Sequence, residues 1–169
     1  MTKTDIHRDI EPSDTDTVWS LMDKMSACML TTHDGTGDQL RARPMNANVR
    51  PEQNAVLFLT DTRNHKDDEI AKNSNVCISF SDSSNQKYVS LTGTAEVLND
   101  RDMISDLWSL AAGAWWRDKQ DPNIRDLKVT PVMAEYWDSP DLITTNAQSA
   151  EKALSGNRPN SGTNGKVTF

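Results

Sequence analysis

The stretch Tyr88-Val89-Ser90-Leu91-Thr92-Gly93-Thr94-Ala95-Glu96-Val97-Leu98 decides the architecture. Val89, Leu91, Ala95 and Val97 alternate with Ser90, Thr92, Thr94 and Glu96. A period of two puts the apolar side chains on one face of a β-strand and the polar ones on the other. Gly93, in the middle, marks a bulge or a sharp bend of the sort that curls a sheet towards a barrel.

Working outward, shorter runs of the same kind lie on both sides. Ala27–Thr32, Leu40–Asn46, Ala55–Thr60 and Val76–Ser81 read as strands upstream, and Lys128–Trp137 as a long strand downstream, with Pro131 demanding an edge or a bulge. Turn chemistry separates them: His33-Asp34-Gly35-Thr36-Gly37, Pro51–Asn54 and the polar loop Asp82–Gln86. Three helices are predicted. Ser13 with Asp16 reads as an N-cap with its reciprocal acid, and Val18, Leu21, Met22 and Met25 recur at helical spacing, giving Asp14–Met25. A short helix runs from about Lys66 to Asn73. A longer one, capped by Asn99, covers roughly Arg101–Trp115, with Met103, Ile104, Leu107, Trp108 and Ala111 on one face. Six strands in hairpin order do not alternate as βαβ units. They predict a mainly β fold, a closed antiparallel barrel with helices packed on it.

The chain of 169 residues fits one domain, with 1–12 a polar lead-in, 13–144 the barrel, and 145–169 a polar, mobile tail whose last residues, Lys166–Phe169, can pair as an edge strand. A net charge of −7 argues against non-specific nucleic-acid binding, because phosphate contacts supply most of that affinity. No window approaches about 18 apolar residues and no apolar signal segment opens the chain, so no membrane is expected and the cytoplasm is the expected location. Cys28 and Cys77 sit in apolar strand-like runs and read as small hydrophobes. His7, His33 and His65 lack metal-ligand spacing, and no Gly-rich phosphate loop or serine elbow appears.

Two stretches carry chemistry. Arg41, Arg43 and Met45 share one strand face, and two cations on one face need an anion or acidic side chains opposite. The alternative is a solvated edge strand that repels aggregation. Thr60-Asp61-Thr62-Arg63-Asn64-His65-Lys66 then leads into a helix start. Thr62 and Asn64 are explained by capping, but His65 and Lys66 oppose the helix dipole unless an anion offsets them. Together the two stretches point to a phosphorylated cofactor. Trp115-Trp116 and Tyr136-Trp137 read first as core or dimer contacts, and second as faces for a flat heteroaromatic ring.

These residues give the chain a resemblance to the pyridoxamine 5′-phosphate oxidase-like flavin-binding split barrels, in the branch called general stress protein 26. It rests on Arg43-Pro44-Met45, on Leu57-Phe58-Leu59-Thr60 leading to Lys66-Asp67-Asp68-Glu69-Ile70, on Tyr88 to Ala95, and on Glu135-Tyr136-Trp137, and it spans about 14–140. The resemblance implies a six-stranded split barrel and a homodimer, with FMN in each of two clefts at the subunit interface. FAD would be served by the same phosphate site. By position, Arg43, Pro44 and Met45 line the ring and ribityl chain, Leu59 and Thr60 continue that wall, and Asn64, His65 and Lys66 hold the phosphate. Tyr88 reaches the flavin from the neighbouring subunit's side and Trp137 closes over it. Many relatives have serine where Asn64 stands, though an amide still donates to phosphate. The true oxidases follow the last-strand Trp with an Arg-x-His-x-Arg-like stretch. Here Asp138-Ser139-Pro140-Asp141-Leu142-Ile143-Thr144 has no cation, so oxidation of pyridoxamine phosphate is not expected. Three readings follow: a flavin-binding stress-type protein with flavin redox chemistry and no nameable acid or base, a non-catalytic flavin-sequestering module, and, last, a dimeric scaffold.

Overall fold

The computed structural model describes residues 13–36, 39–64, 66–109, 112–139 and 163–169. Strands β1 (Ala27–His33), β2 (Leu40–Asn46), β3 (Asn48–Arg50), β4 (Ala55–Asp61), β5 (Asn75–Asp82), β6 (Lys87–Leu98), β7 (Ile124–Asp138) and β8 (Thr163–Thr168) form one antiparallel sheet. Its order is β2-β1-β5-β6-β7-β4-β3. The first half of β7 pairs with β4 and its second half with β8, so two partners share one edge of the longest strand. Helices α1 (Asp14–Met25), α2 (Lys66–Lys72) and α3 (Arg101–Leu107) flank the curled sheet. The mainly β, split-barrel expectation holds, with eight strands among the described residues in place of six: β3 and β8 are the additions. The expected edge strand at 166–169 runs instead over Thr163–Thr168. Residues 1–12 and 140–162, including most of the tail expected to be mobile, lie outside the described residues.

The curl has a local cause. Thr92 pairs with Met133 but Gly93 pairs with Pro131, so Val132 is the extra residue of a bulge on β7. Pro131, which has no N–H to give a ladder, stands where the ladder breaks. Its partner has to be glycine: a Cβ at Gly93 would lie 2.4 Å from the Thr130 carbonyl oxygen. The bulged residue's own carbonyl is not wasted, since Phe169 N–H donates to Val132 O at 3.0 Å.

Inside the curl, Leu30, Ile78, Phe80, Val89, Leu91, Ala134 and Tyr136 pack with Val18, Leu21 and Met22 of α1. Ser13 caps α1, accepting from Asp16 N at 3.1 Å while its hydroxyl donates to Asp16 Oδ2 at 2.7 Å. Tyr136 Oη donates to Asp14 Oδ1 at 2.6 Å, tying the helix start to β7. Cys28 faces this core and Cys77, on the paired strand β5, faces out, so both remain free thiols. Burial pushes the Cys28 thiol up to about 12.

The helix expected over Arg101–Trp115 stops at Leu107, and its cap is Asp100 rather than Asn99, accepting from Asp102 N and Met103 N. The chain leaves the helix at Trp108, whose backbone is extended (φ −66°, ψ 126°), and Trp116 Nε1 donates to Asp61 Oδ2 at 2.8 Å, a tie to β4 that helical periodicity does not show. Gly93→Ala is expected to lower the unfolding free energy by about 2 kcal/mol in urea titrations with an unchanged slope. Gly113→Ala, with open space around the added carbon, serves as the near-neutral control.

Candidate functional site

Antiparallel pairing sets the site. Arg41 and Arg43 oppose Thr32 and Leu30 on the inward side of β1 and β2. The helix α2 lies across β1 and delivers Glu69 to them. Glu69 is buried, and each of its oxygens is used. Arg43 Nη2 donates to Oε1 at 2.6 Å and Oε2 at 2.5 Å, Arg41 Nη1 to Oε1 at 3.1 Å, and Thr32 Oγ1 to Oε2 at 2.9 Å. Arg43 Nη1 also donates to Thr32 Oγ1 at 2.9 Å. The acidic side chain that two cations on one face require is therefore Glu69, which the sequence presents only as a first-turn helix acid. Burial alone would raise its proton affinity. Hydrogen bonds from Arg43 and Thr32, with the charges of Arg43 and Arg41, outweigh burial and hold the carboxyl below its ordinary value.

Lys66, first residue of α2, is 6% exposed. Among the described residues its Nζ makes one hydrogen bond, to Thr60 Oγ1 at 3.3 Å. Burial, and then the charge of nearby Arg43, lower its proton affinity, against the pull of Glu69 and Asp61. Guanidinium 43 and ammonium 66 thus share one buried region. Beside it, the Asp61 carboxylate is closed off by Arg63, which donates from Nε and Nη2 and from its backbone N–H, and by Trp116. The Arg63 hydrogen bond is the main reason that this carboxyl lies far below the usual range. Asp67 Oδ1, next to Lys66 in sequence, is a buried acceptor with no partner among the described residues.

The remaining expected residues are dispersed. Met45 is half-buried against the main core, and Pro44 opposes the half-exposed Met29 on the outer face of β2 and β1. Leu59 points away from Thr60, into a small cluster with Ala55, Leu57, Met103 and Leu107. Asn64 ends an exposed 3₁₀ turn, Thr62–Asn64. His65 lies outside the described residues. Tyr88 and Trp137 are cross-strand neighbours on the outer face of β6 and β7, 37% and 40% exposed. Trp115, 81% exposed, belongs neither to the core nor to this face. Arg43, Thr60 and Lys66 come together within one chain. Tyr88 and Trp137 come together elsewhere, on the outer face of β6 and β7. Glu69 and Thr32 were missed. The only signal for them was the unanswered question of what two like charges on one strand face would pair with.

The profile of the family described as pyridoxamine 5′-phosphate oxidase like matches residues 13–160. The chain is 29% identical over 128 residues to protein bli-3 of Neurospora crassa, covering 69% of this chain and 61% of that protein's length. Among solved structures, a general stress protein 26 from Jannaschia sp. CCS1 superposes with a TM-score of 0.71 at 26% identity, over 90% of this chain and 96% of the other. The general stress FMN/FAD binding protein of Xanthomonas citri gives 0.62 at 26% identity, over 72% and 86%.

Replacing Glu69 by Gln leaves two guanidiniums without a counter-charge and is expected to cost about 3 kcal/mol near neutral pH. The folded-state pKa of Glu69 is lowered, so its contribution is present above the unfolded carboxyl's pKa and lost as pH falls through the folded value. Thermal melts from pH 7 to pH 3 are expected to converge for wild type and Glu69→Gln at the acid end and to diverge at the neutral end.

Proposed function

From the chain's membership of the pyridoxamine 5′-phosphate oxidase-like family, we propose that it binds a flavin through its phosphate at the Arg43–Lys66 niche, as a flavin-binding protein of the general stress type. The observation that carries this is a local charge surplus. Among the described residues, Arg41, Arg43 and Lys66 gather near the Glu69 carboxylate, while Asp61 is matched chiefly by Arg63. A phosphomonoester carries about −1.5 to −2 at neutral pH, which is the charge that such a surplus calls for. A buried ammonium with one hydrogen bond has protons left for phosphate oxygens.

Arg43 and Lys66 hold the phosphate, Thr60 orients the ammonium, and backbone groups near Met45 meet the ring edge. When bound, the flavin supplies hydride and electron transfer, and the protein supplies position and field. FMN satisfies the site, and FAD presents the same first phosphate. The relative from Xanthomonas citri, described as an FMN/FAD binding protein, supports either.

A homodimer completes the reading. Met29, Tyr88, Val132 and Trp137 are apolar side chains standing 37–50% exposed on the outer side of one sheet. Aromatic and methionine side chains of this kind favour the core of an interface. Covering that face with a second copy brings Tyr88 and Trp137 to the neighbouring cleft.

A second reading, flavin storage without turnover, is favoured by the acidic stretch Asp138-Ser139-Pro140-Asp141, which lacks any cation for a phosphorylated substrate. Stopped-flow mixing with NADH or NADPH separates the two, since saturable, rapid flavin reduction belongs to an enzyme.

Purified protein is expected to be yellow, or to take up added FMN with a shifted visible spectrum. Lys66→Glu is expected to weaken uptake at least a hundredfold, because one charge is lost and its opposite installed. With Lys66 easier to deprotonate than usual, affinity is expected to fall as pH rises towards the ordinary lysine range, and Lys66→Arg to remove that limb. Sedimentation velocity is expected to give twice the 18.9 kDa chain mass, and Trp137→Glu to give monomers with little flavin. A colourless protein that ignores FMN would end the proposal.

A further inference from the structure

We infer that Arg63 and Trp116 are positioning residues that mask the Asp61 carboxylate, so that the Lys66 ammonium is left for an anionic ligand instead of being matched from within the chain. The inference rests on the flavin reading above and concerns how its niche keeps its positive charge.

Two carboxylates lie within electrostatic reach of Lys66, those of Glu69 and Asp61. Among the described residues neither bonds to it, and its Nζ donates to the neutral hydroxyl of Thr60 at 3.3 Å. Glu69 is taken by Arg41, Arg43 and Thr32. Asp61 follows Thr60 at the end of β4 and is 7% exposed. It accepts four hydrogen bonds. Arg63 N and Nε both reach Oδ1 at 2.8 Å, Arg63 Nη2 reaches Oδ2, and Trp116 Nε1 reaches Oδ2 at 2.8 Å.

An aspartate that opens a turn ordinarily accepts one backbone N–H two residues on. The Arg63 N–H is that bond, and turn formation accounts for nothing more. The other three donors have no local reason. Trp116 comes from 55 positions away, and its own backbone is held by a bond from its N–H to Ala112 O at 3.1 Å. Thr62 fastens the same turn again, with its N–H on Asn123 O at 3.0 Å and its hydroxyl on Asn123 Oδ1 at 3.3 Å. The cation spent on Asp61 is the exposed one, since the Arg63 side chain is 61% exposed. The indole adds a donor without adding charge. The buried cation is the one left over. An unmatched carboxylate here would both neutralise Lys66 and repel an incoming phosphate. The charged groups that face Lys66 are Arg43 from β2, Glu69 from its own helix and Asp61 from β4, and those that face Arg63 are Asp61 and Asp121.

The test adds FMN and, separately, inorganic phosphate to the flavin-free full chain as wild type, Arg63→Gln, Trp116→Phe and Arg63→Gln/Asp61→Asn. The Lys66 ammonium is also titrated by NMR without ligand, its signal assigned with Lys66→Arg. Arg63→Gln is expected to weaken uptake of both anions by about fivefold, the scale of one uncompensated charge at moderate range. Its ligand-free Lys66 titration is expected to move to higher pH, because an unmatched Asp61 favours the charged ammonium. Mere structural damage would weaken uptake without that upward move. Trp116→Phe keeps the ion pair, so it carries the test should Arg63→Gln not fold, and is expected to shift both readings in the same directions by about twofold. The double variant is expected to bind within twofold of wild type and to bring the Lys66 titration back down. A double variant as weak as Arg63→Gln means that Arg63 meets the ligand directly, and overturns the inference while leaving the flavin reading standing. So does a Lys66 titration that stays put or falls in Arg63→Gln and Trp116→Phe. A wild type that takes up neither anion overturns both.

Discussion

One buried carboxylate organises the functional half of this molecule. Glu69 belongs to α2, yet its oxygens are held by Arg41 and Arg43 of β2 and by Thr32 of β1. Without it, two guanidiniums on one strand face would repel at close range in a region of reduced dielectric, where Coulomb forces are several-fold larger than in water. With it, a helix is pinned across two strands and two arginines acquire fixed positions. The pair interaction is not free stability, since burying charge is costly. What the network fixes is the location of positive charge.

The cost is visible in Lys66. Its ammonium is buried, lies near Arg43, and is harder to keep protonated than an exposed lysine. A chain selected for stability alone would place a neutral or better-bonded residue there. Local choices that disagree with folding cluster where a protein does something else. The molecule as a whole carries −7, so a concentration of cations at one barrel rim runs against its overall field and is correspondingly specific in what it attracts.

Much of the fold was legible because it rests on period and punctuation. Alternation across Tyr88–Leu98 and the Gly93 and Pro131 signals located the strand pair and the bulge, even though only pairing reveals that the extra residue is Val132. Helix α1, with its Ser13 cap, was legible for the same local reasons. Helix α3 was misread because periodicity continues past Leu107, whereas the chain turns extended at Trp108 and Trp116 bonds Asp61, 55 positions away, a tertiary contact with no local signal. β8 was only half visible: its grip on β7 depends on Gly165 lying against the Tyr136 ring, a contact with no trace in local sequence.

The site divided in the same way. Arg43 and Lys66 were legible as cations in places that cations avoid, and the question they posed was electrostatic. The answer, Glu69, was hidden by being ordinary: an acid in a helix's first turn needs no explanation. Only the crossing of α2 over β1 turns that residue inward and makes it the shared partner of two arginines. The general point is that a sequence shows charge imbalance more readily than it shows charge matching, because a lone cation is a local fact and its counter-ion is a tertiary one. Among the described residues the matching here is shared: Arg41 and Arg43 bond Glu69, Arg63 bonds Asp61, and Lys66 feels both carboxylates without bonding either.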